Sequence, residues 1–252
     1  SGKEAALFVT SGTQGNLVAL LTHCDRGAEV ILEAEAHIFF YEVGGMSAMG
    51  GLIPVRVRGE RGVLQPDAVR AAIRGQNIHF PHTGLICLEN THNRAGGTVT
   101  TIEQMEAVRQ VAKDFGIPIH MDGARLFNAA VALGEPLAKM SAPVDSVSIC
   151  LSKGLGAPVV SVLCGSRDFI EKARKYRKML GGGMRQAGVL AAAGIYALQH
   201  NVDRLAEDHA NARLLAEGLA NIPGIAIDMD SVQTNIVVCD VAGTERTATQ
   251  LT

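Results

Sequence analysis

Lys153 stands directly after an apolar, β-branched run. In SICLSKGLGAP (residues 148–158) the amine is followed at once by two glycines and a proline. Lysine is rarely buried without a partner, and a desolvated lysine is a nucleophile that condenses with an aldehyde to a Schiff base. A lysine that merely leaves the strand for the surface fits the same stretch. Other polar corners recur after apolar runs: SGTQGN after Val9, EAEAH after Leu32, ENTHN after Leu88 and MDGAR after His120. In the first, Ser11, Gly12 and Thr13 open an apolar helix pattern whose free N–H groups suit a phosphate, although a plain capped helix reads alike. In the last, Asp122 offers a carboxylate for a cationic ring nitrogen, or a cap for the next helix. Arg125 offers a planar fork for an anion. A phosphate seat, a ring-facing carboxylate and a Schiff-base lysine are together what holds pyridoxal phosphate.

The elements that must position these residues alternate along the chain. Strands are expected at Ala5–Val9, Glu29–Glu33, Leu52–Val57, Gly84–Leu88, Ile117–Met121, Val144–Cys150 and Val159–Cys164. Several are continuous apolar runs, as in strands covered on both faces. The clearest helix is TIEQMEAVRQVAKDFG: Ile102, Met105, Val108, Ala112 and Phe115 share one face, Thr101 and Gln104 form a capping box, and Gly116 stops it. The alternation predicts an α/β fold, a mostly parallel doubly wound sheet with helices on both faces, and ligands gather outside the carboxyl ends of such strands. Gly181, Gly182 and Gly183 break a helix predicted over 168–179. Beyond them the pattern predicts helices over 184–200 and 202–221 and short strands near Ile225 and Ile236. This gives a large domain over residues 1–183 and a small, incomplete α+β domain over 184–252.

The totals restrict the function. Of 252 residues, 47% are hydrophobic and 19% charged, and the net charge is −2. A nucleic-acid footprint would show as a strongly basic domain. The apolar runs fall short of the roughly 20 residues of a membrane span, and no signal segment is visible. Five widely spaced cysteines without a CxxC pair read as reduced, buried side chains rather than a zinc site, which places the protein in the cytoplasm. No metal site is expected. The chain opens at Ser1 without methionine and ends at Thr252 after a strand-like run, so it is expected to be an internal piece of a longer protein.

The stretches LFVTSGTQGN, AHIFFYEVGG, LENTHNRAGG, HMDGARLFNA, SICLSKGLGAPV and RKMLGGGMRQAGVLAAAGIYAL resemble the low-specificity L-threonine aldolases, pyridoxal-phosphate enzymes of the aspartate-aminotransferase-like fold type I. The resemblance implies that Gly12 and Thr13 bind the cofactor phosphate, His37 stacks on the ring, Asp122 pairs with the ring nitrogen, and Lys153 forms the Schiff base. It implies that Arg125 reaches the substrate carboxylate or the cofactor's phenolic oxygen, and that His92 lies near the substrate hydroxyl. Glu89, Lys178 and Arg185 fall in matching stretches; the two cations would serve a phosphate or a neighbouring subunit.

The reaction implied by the resemblance is retro-aldol cleavage of L-threonine or L-allo-threonine, β-hydroxy-α-amino acids, to glycine and acetaldehyde. His37, His92 or a water is the base. A homotetramer is implied as well. The family's Arg-Ser-Asp-Thr segment and its C-terminal arginine are not in this sequence. Other β-eliminating lyases, or a fragment that binds cofactor without turnover, are the alternatives. A dinucleotide site would need GxGxxG, which SGTQGN lacks.

Overall fold

The computed structural model describes residues 1–75 and 77–251. Among them one sheet is formed by β1 (Ala5–Val9), β2 (Glu29–Glu33), β3 (Ile53–Val57), β4 (Thr83–Glu89), β5 (Ile119–Asp122), β6 (Ser146–Cys150) and β7 (Ser161–Gly165). The spatial order is β1-β7-β6-β5-β4-β2-β3. β7 is antiparallel to both neighbours, and the remaining pairs are parallel. The expected architecture is the observed one, with strand ends shifted by one or two residues. β6, for instance, starts after Asp145, whose carboxylate is drawn instead to the Ile119 N–H and the Arg109 guanidinium.

The connections are helical, as parallel neighbours require. α1 (Gly12–His23) follows β1, and the single turns α2 (His37–Phe40) and α3 (Gly45–Ala48) follow β2. α4 (Pro66–Ala72) precedes β4, α5 (Ile102–Phe115) joins β4 to β5, and α6 (Leu126–Leu133) with α7 (Leu137–Ser141) joins β5 to β6. α8 (Arg167–Met179) follows β7. α5 carries the expected capping box: the Thr101 hydroxyl accepts the Gln104 N–H and Gln104 Oε1 accepts the Thr101 N–H, with Gly116 left-handed at the far end. Such a cap contributes about 1 kcal/mol.

Strand residues divide between two faces by the period of two. Ile31, Ile86, Ile119, Met121 and Val147 pack with Met105, Val108, Leu126 and Met140. Val30, Leu32 and Leu85 pack with Leu20, Ile38 and Met46. Each such side chain stabilises the fold by roughly 1.5–3 kcal/mol on burial. Under α1 the second face turns polar, because alternation with Ile119, Met121 and Val147 puts His120, Asp122, Ser146 and Ser148 there. α1 comes close to this strip at Gly15, where a methyl would run into Ser148.

Beyond the glycine run, α9 (Gly188–His200) starts four residues later than the pattern predicted, after Gln186 at φ 45°. α10 (Leu205–Ala220) follows. Ala197 and Leu205 join Leu151, Leu155 and Val160 in one cluster, which anchors the loop bearing Lys153. The strands expected near Ile225 and Ile236 are not formed: a single bridge pairs Ala226 with Asp240. A lone two-stranded ribbon without a sheet to extend is marginal in water. No helix of the described residues is long and apolar enough to cross a membrane.

Candidate active site

Several of the polar corners meet around Cys150, at the carboxyl end of β6. A Cβ built on Gly12 would lie 2.9 Å from its sulfur, so the first turn of α1 touches this corner. Burial pushes the Cys150 thiol up, and Lys153, foremost among nearby charges, and Arg125 pull it down, while Asp122 pushes it up. Asp122 and Cys150 end the neighbouring strands β5 and β6, so the turns bearing Arg125 and Lys153 leave the sheet side by side. Lys153 itself is half-buried. Its loop is pinned on the main chain by Leu151 N–H to Val160 O, Ala157 N–H to Leu151 O and Gly156 N–H to Lys153 O, at 3.1, 3.0 and 2.8 Å.

At the start of α1 the Ser11 hydroxyl accepts the Gln14 N–H at 3.1 Å. Gly12 and Thr13 occupy the first turn, whose N–H groups have no intrahelical acceptor and a partial positive charge. Gln14 Oε1 accepts the Thr10 N–H, and the loop after α8 leans on this side chain, since a Cβ on Gly182 would collide with it. Lys178 and Arg185 are exposed on either side of that loop.

Asp122 is 3% exposed. Its Oδ1 accepts the Ala124 N–H at 3.1 Å, and its Oδ2 accepts the Asn16 side-chain amide at 2.9 Å. It does not cap α6, whose N-cap is Arg125. The same Asn16 nitrogen reaches Glu42 Oε1 at 2.8 Å, and His37 Nδ1 lies 3.2 Å from that oxygen and 3.8 Å from Asp122 Oδ2. Glu42 hydrogen bonding raises the His37 pKa, against an opposing effect of burial. Glu42 is raised as well: burial and the neighbouring Asp122 charge outweigh its bonds from His37 and Asn16. The ligand atoms of His37, Glu42 and Asp122 lie within 4.8 Å of one another, but the Asn16 donor stands between the two carboxylates, where a cation would need acceptors.

His92 is 1% exposed, and both ring nitrogens are engaged. Nε2 bonds Glu33 Oε2 at 3.1 Å, and Nδ1 accepts the Ala95 N–H at 3.2 Å. Burial lowers the His92 pKa, yet Glu33 and Glu89 raise it overall. Glu33 is pushed up by burial, but bonds from His92, Gly59 N–H and Glu35 N–H bring it down to about 2. Glu89 is a tie between loops: its oxygens accept the N–H of His37 at 2.7 Å and of Asn93 at 2.8 Å. Arg125 Nη1 donates to Asn93 Oδ1 at 3.2 Å, while its buried Nε has no partner.

The structure therefore gathers Gly12, Asp122, Arg125 and Lys153 about one corner, with His37 reaching it through Glu42 and Asp122, and ties His92 to Glu33, with Glu89 3.8 Å from the same ring nitrogen. Sequence reasoning missed Asn16, Glu42, His120, Ser146 and Cys150. The signal for two of them is the alternation in IHMD and SVSIC, which puts His120 beside Asp122 and Ser146 beside Ser148 on one face.

Residues 1–242 match the profile of the beta-eliminating lyases. The chain belongs to that family. It is 52% identical to low-specificity L-threonine aldolase 1 of Arabidopsis thaliana, over 99% of this chain and 71% of the relative. It is 50% identical to the low specificity L-threonine aldolase of Escherichia coli K12, over 87% of this chain and 65% of that protein. Among solved structures, a Leishmania major threonine aldolase superposes with a TM-score of 0.80 at 23% identity, covering 91% of this chain and 67% of that one. An aspartate aminotransferase of Thermus thermophilus gives 0.71 at 19%, covering 94% and 62%. The chain thus spans about two thirds of the length of these relatives, and the last two comparisons carry the fold.

The beta-eliminating lyases are pyridoxal-phosphate enzymes. The residues fit that group on three observations. Gly12 lets the start of α1, with its free N–H groups, close onto Cys150 where a methyl would strike the sulfur, Arg125 Nε is a buried donor without a partner, and Asp122 is a buried carboxylate held by two donors.

Proposed function

We propose that the protein cleaves L-threonine and L-allo-threonine to glycine and acetaldehyde with pyridoxal phosphate. The observation that carries this reading is the placement of Asp122, Arg125 and Lys153 after the ends of the neighbouring strands β5 and β6, with Gly12 against Cys150, within a chain half identical to named low-specificity L-threonine aldolases. When bound, the cofactor supplies an electron sink conjugated to the substrate's α-carbon.

Lys153 is the amine that would hold the cofactor by its aldehyde. The N–H groups of Gly12 and Thr13 would take the phosphate, with the helix dipole favouring its charge. Asp122 would keep a proton on the ring nitrogen, and Arg125 would orient an anionic oxygen through its free Nε–H. His37 would lie on the ring face, its Nδ1 held by Glu42, which leaves Nε2 to accept a proton from the β-hydroxyl. His92, with both nitrogens engaged, supports the Glu33 side of the site instead. Loss of the Cα–Cβ bond then depends on the angle at which these groups set the substrate.

Three coarser features belong to the same reading. Residues 1–183 form the cofactor-binding unit and 184 onward a smaller one, a division supported by the glycine break. The residue at 252 lies outside the described structure. The protein works as a homo-oligomer, a tetramer by likeness, supported by apolar side chains left in water: Val43 is 96% exposed and Val189 81%. It works in the cytoplasm, supported by its free cysteines.

The test is product analysis on the protein loaded with pyridoxal phosphate. Equimolar glycine and acetaldehyde from L-threonine are expected. Release of ammonia and an oxo acid instead would assign it to an eliminating lyase.

A further inference from the structure

Behind Asp122 a chain of hydrogen bonds runs between α1 and the polar face of the sheet beneath it. His23 Nε2 lies 2.7 Å from Ser146 Oγ, Ser146 Oγ lies 2.9 Å from His120 Nδ1, and His120 Nε2 lies 3.2 Å from Asn16 Oδ1. Asn16 Nδ2 then reaches Asp122 Oδ2 and Glu42 Oε1 at 2.9 and 2.8 Å. His120 and Ser146 are 0% and Asn16 1% exposed, so bulk water does not reach these three, while His23 is half-buried at the end of the chain.

The donor inventory fixes the direction of every bond. Two carboxylate oxygens only accept, so Asn16 must present its NH₂ to them and its carbonyl to His120. His120 must then donate from Nε2. Burial holds His120 at about 3 and His23 at about 4, so both rings are neutral near pH 7. A neutral ring that donates from Nε2 must accept at Nδ1, so the Ser146 hydroxyl donates to His120. Ser146 Oγ in turn accepts from Nε2–H of His23. All the donors in the chain point one way, toward Asp122, and aligned hydrogen bonds polarise one another.

We propose that Asn16, held from behind by His120, Ser146 and His23, is the positioning residue that aims Asp122 at the cofactor's ring nitrogen and separates it from Glu42. Without Asn16 the two carboxylates would share only His37 Nδ1, which lies 3.2 Å from Glu42 Oε1 and 3.8 Å from Asp122 Oδ2. This inference rests on the reading of Asp122 given above, and it adds His120 and Ser146 as residues that act on the cofactor without touching it.

Two measurements test it. The first needs no cofactor: ¹⁵N shifts of the histidine rings near pH 7 should show His120 and His23 neutral and protonated at Nε2. His120 protonated at Nδ1, or charged, overturns the chain. The second follows the visible band of pyridoxal phosphate on titration into the wild type, Ser146→Ala and Asn16→Ala. Loss of a hydrogen bond that supports a charged group costs about tenfold to a hundredfold. Ser146→Ala is expected to weaken cofactor binding by about tenfold, to shift the pH at which the bound band changes, and to abolish the single His120 tautomer. Asn16→Ala should weaken it by about a hundredfold. If Asn16→Ala does not fold, Ser146→Ala decides. An unchanged affinity, band and tautomer in Ser146→Ala refutes the proposal. A wild type that shows no cofactor band refutes the functional reading, while the ring shifts still judge the chain.

Discussion

Gly12 packs directly against Cys150: a β-carbon on the glycine would stand 2.9 Å from the cysteine sulfur. This contact joins the first turn of α1 to the corner that bears Lys153. Cys150 cannot swing away freely, because it is buried and accepts the Ser161 hydroxyl at 3.2 Å.

Gly12→Ala should therefore destabilise the protein by about 1–3 kcal/mol, the usual cost of overpacking, although alanine is the better helix former. The cost should shrink when the sulfur is also removed, in Gly12→Ala combined with Cys150→Ala. Urea unfolding of both singles and the double measures this coupling. Additive effects would mean that the two residues do not touch.

The buried histidines set the acid limb of stability. Burial lowers His23 from 6.5 to about 4, so between those values the unfolded chain binds a proton that the folded one refuses. Stability from this group is complete above pH 6.5 and is lost as pH falls toward 4. The gap is worth about 3 kcal/mol. His23→Phe, which keeps a ring beside Phe169 at 4.5 Å, should flatten the stability profile between pH 6.5 and 4. An acid limb as steep as the wild type's, measured by urea unfolding at each pH, would contradict the buried neutral form.

Much of the fold was legible because its strands are buried on both faces, which leaves continuous β-branched runs such as EVILE between turn residues. The chemical corners were legible for the same reason: a charge directly after such a run, as at Lys153, has no packing role to explain it. The ribbon near Ile225 misled because apolar, β-branched residues promise a strand, whereas a ladder also needs a neighbour to bond. The support behind Asp122 was overlooked because HMDGAR drew attention to the carboxylate alone. His120, two residues earlier, shares its face by the period of two. Glu42 gave no such cue: it lies five residues from His37 across a broken helical turn, and only the folded backbone brings the two to 3.2 Å.

Every step of the proposed chemistry depends on Lys153. The most direct measurement is borohydride reduction of the protein loaded with pyridoxal phosphate, followed by mass spectrometry of its peptides. The pyridoxyl group should be found on the peptide carrying Lys153 and should vanish, with the visible band, in Lys153→Ala. A label on Lys178 or another lysine, or a band that survives in Lys153→Ala, would contradict it.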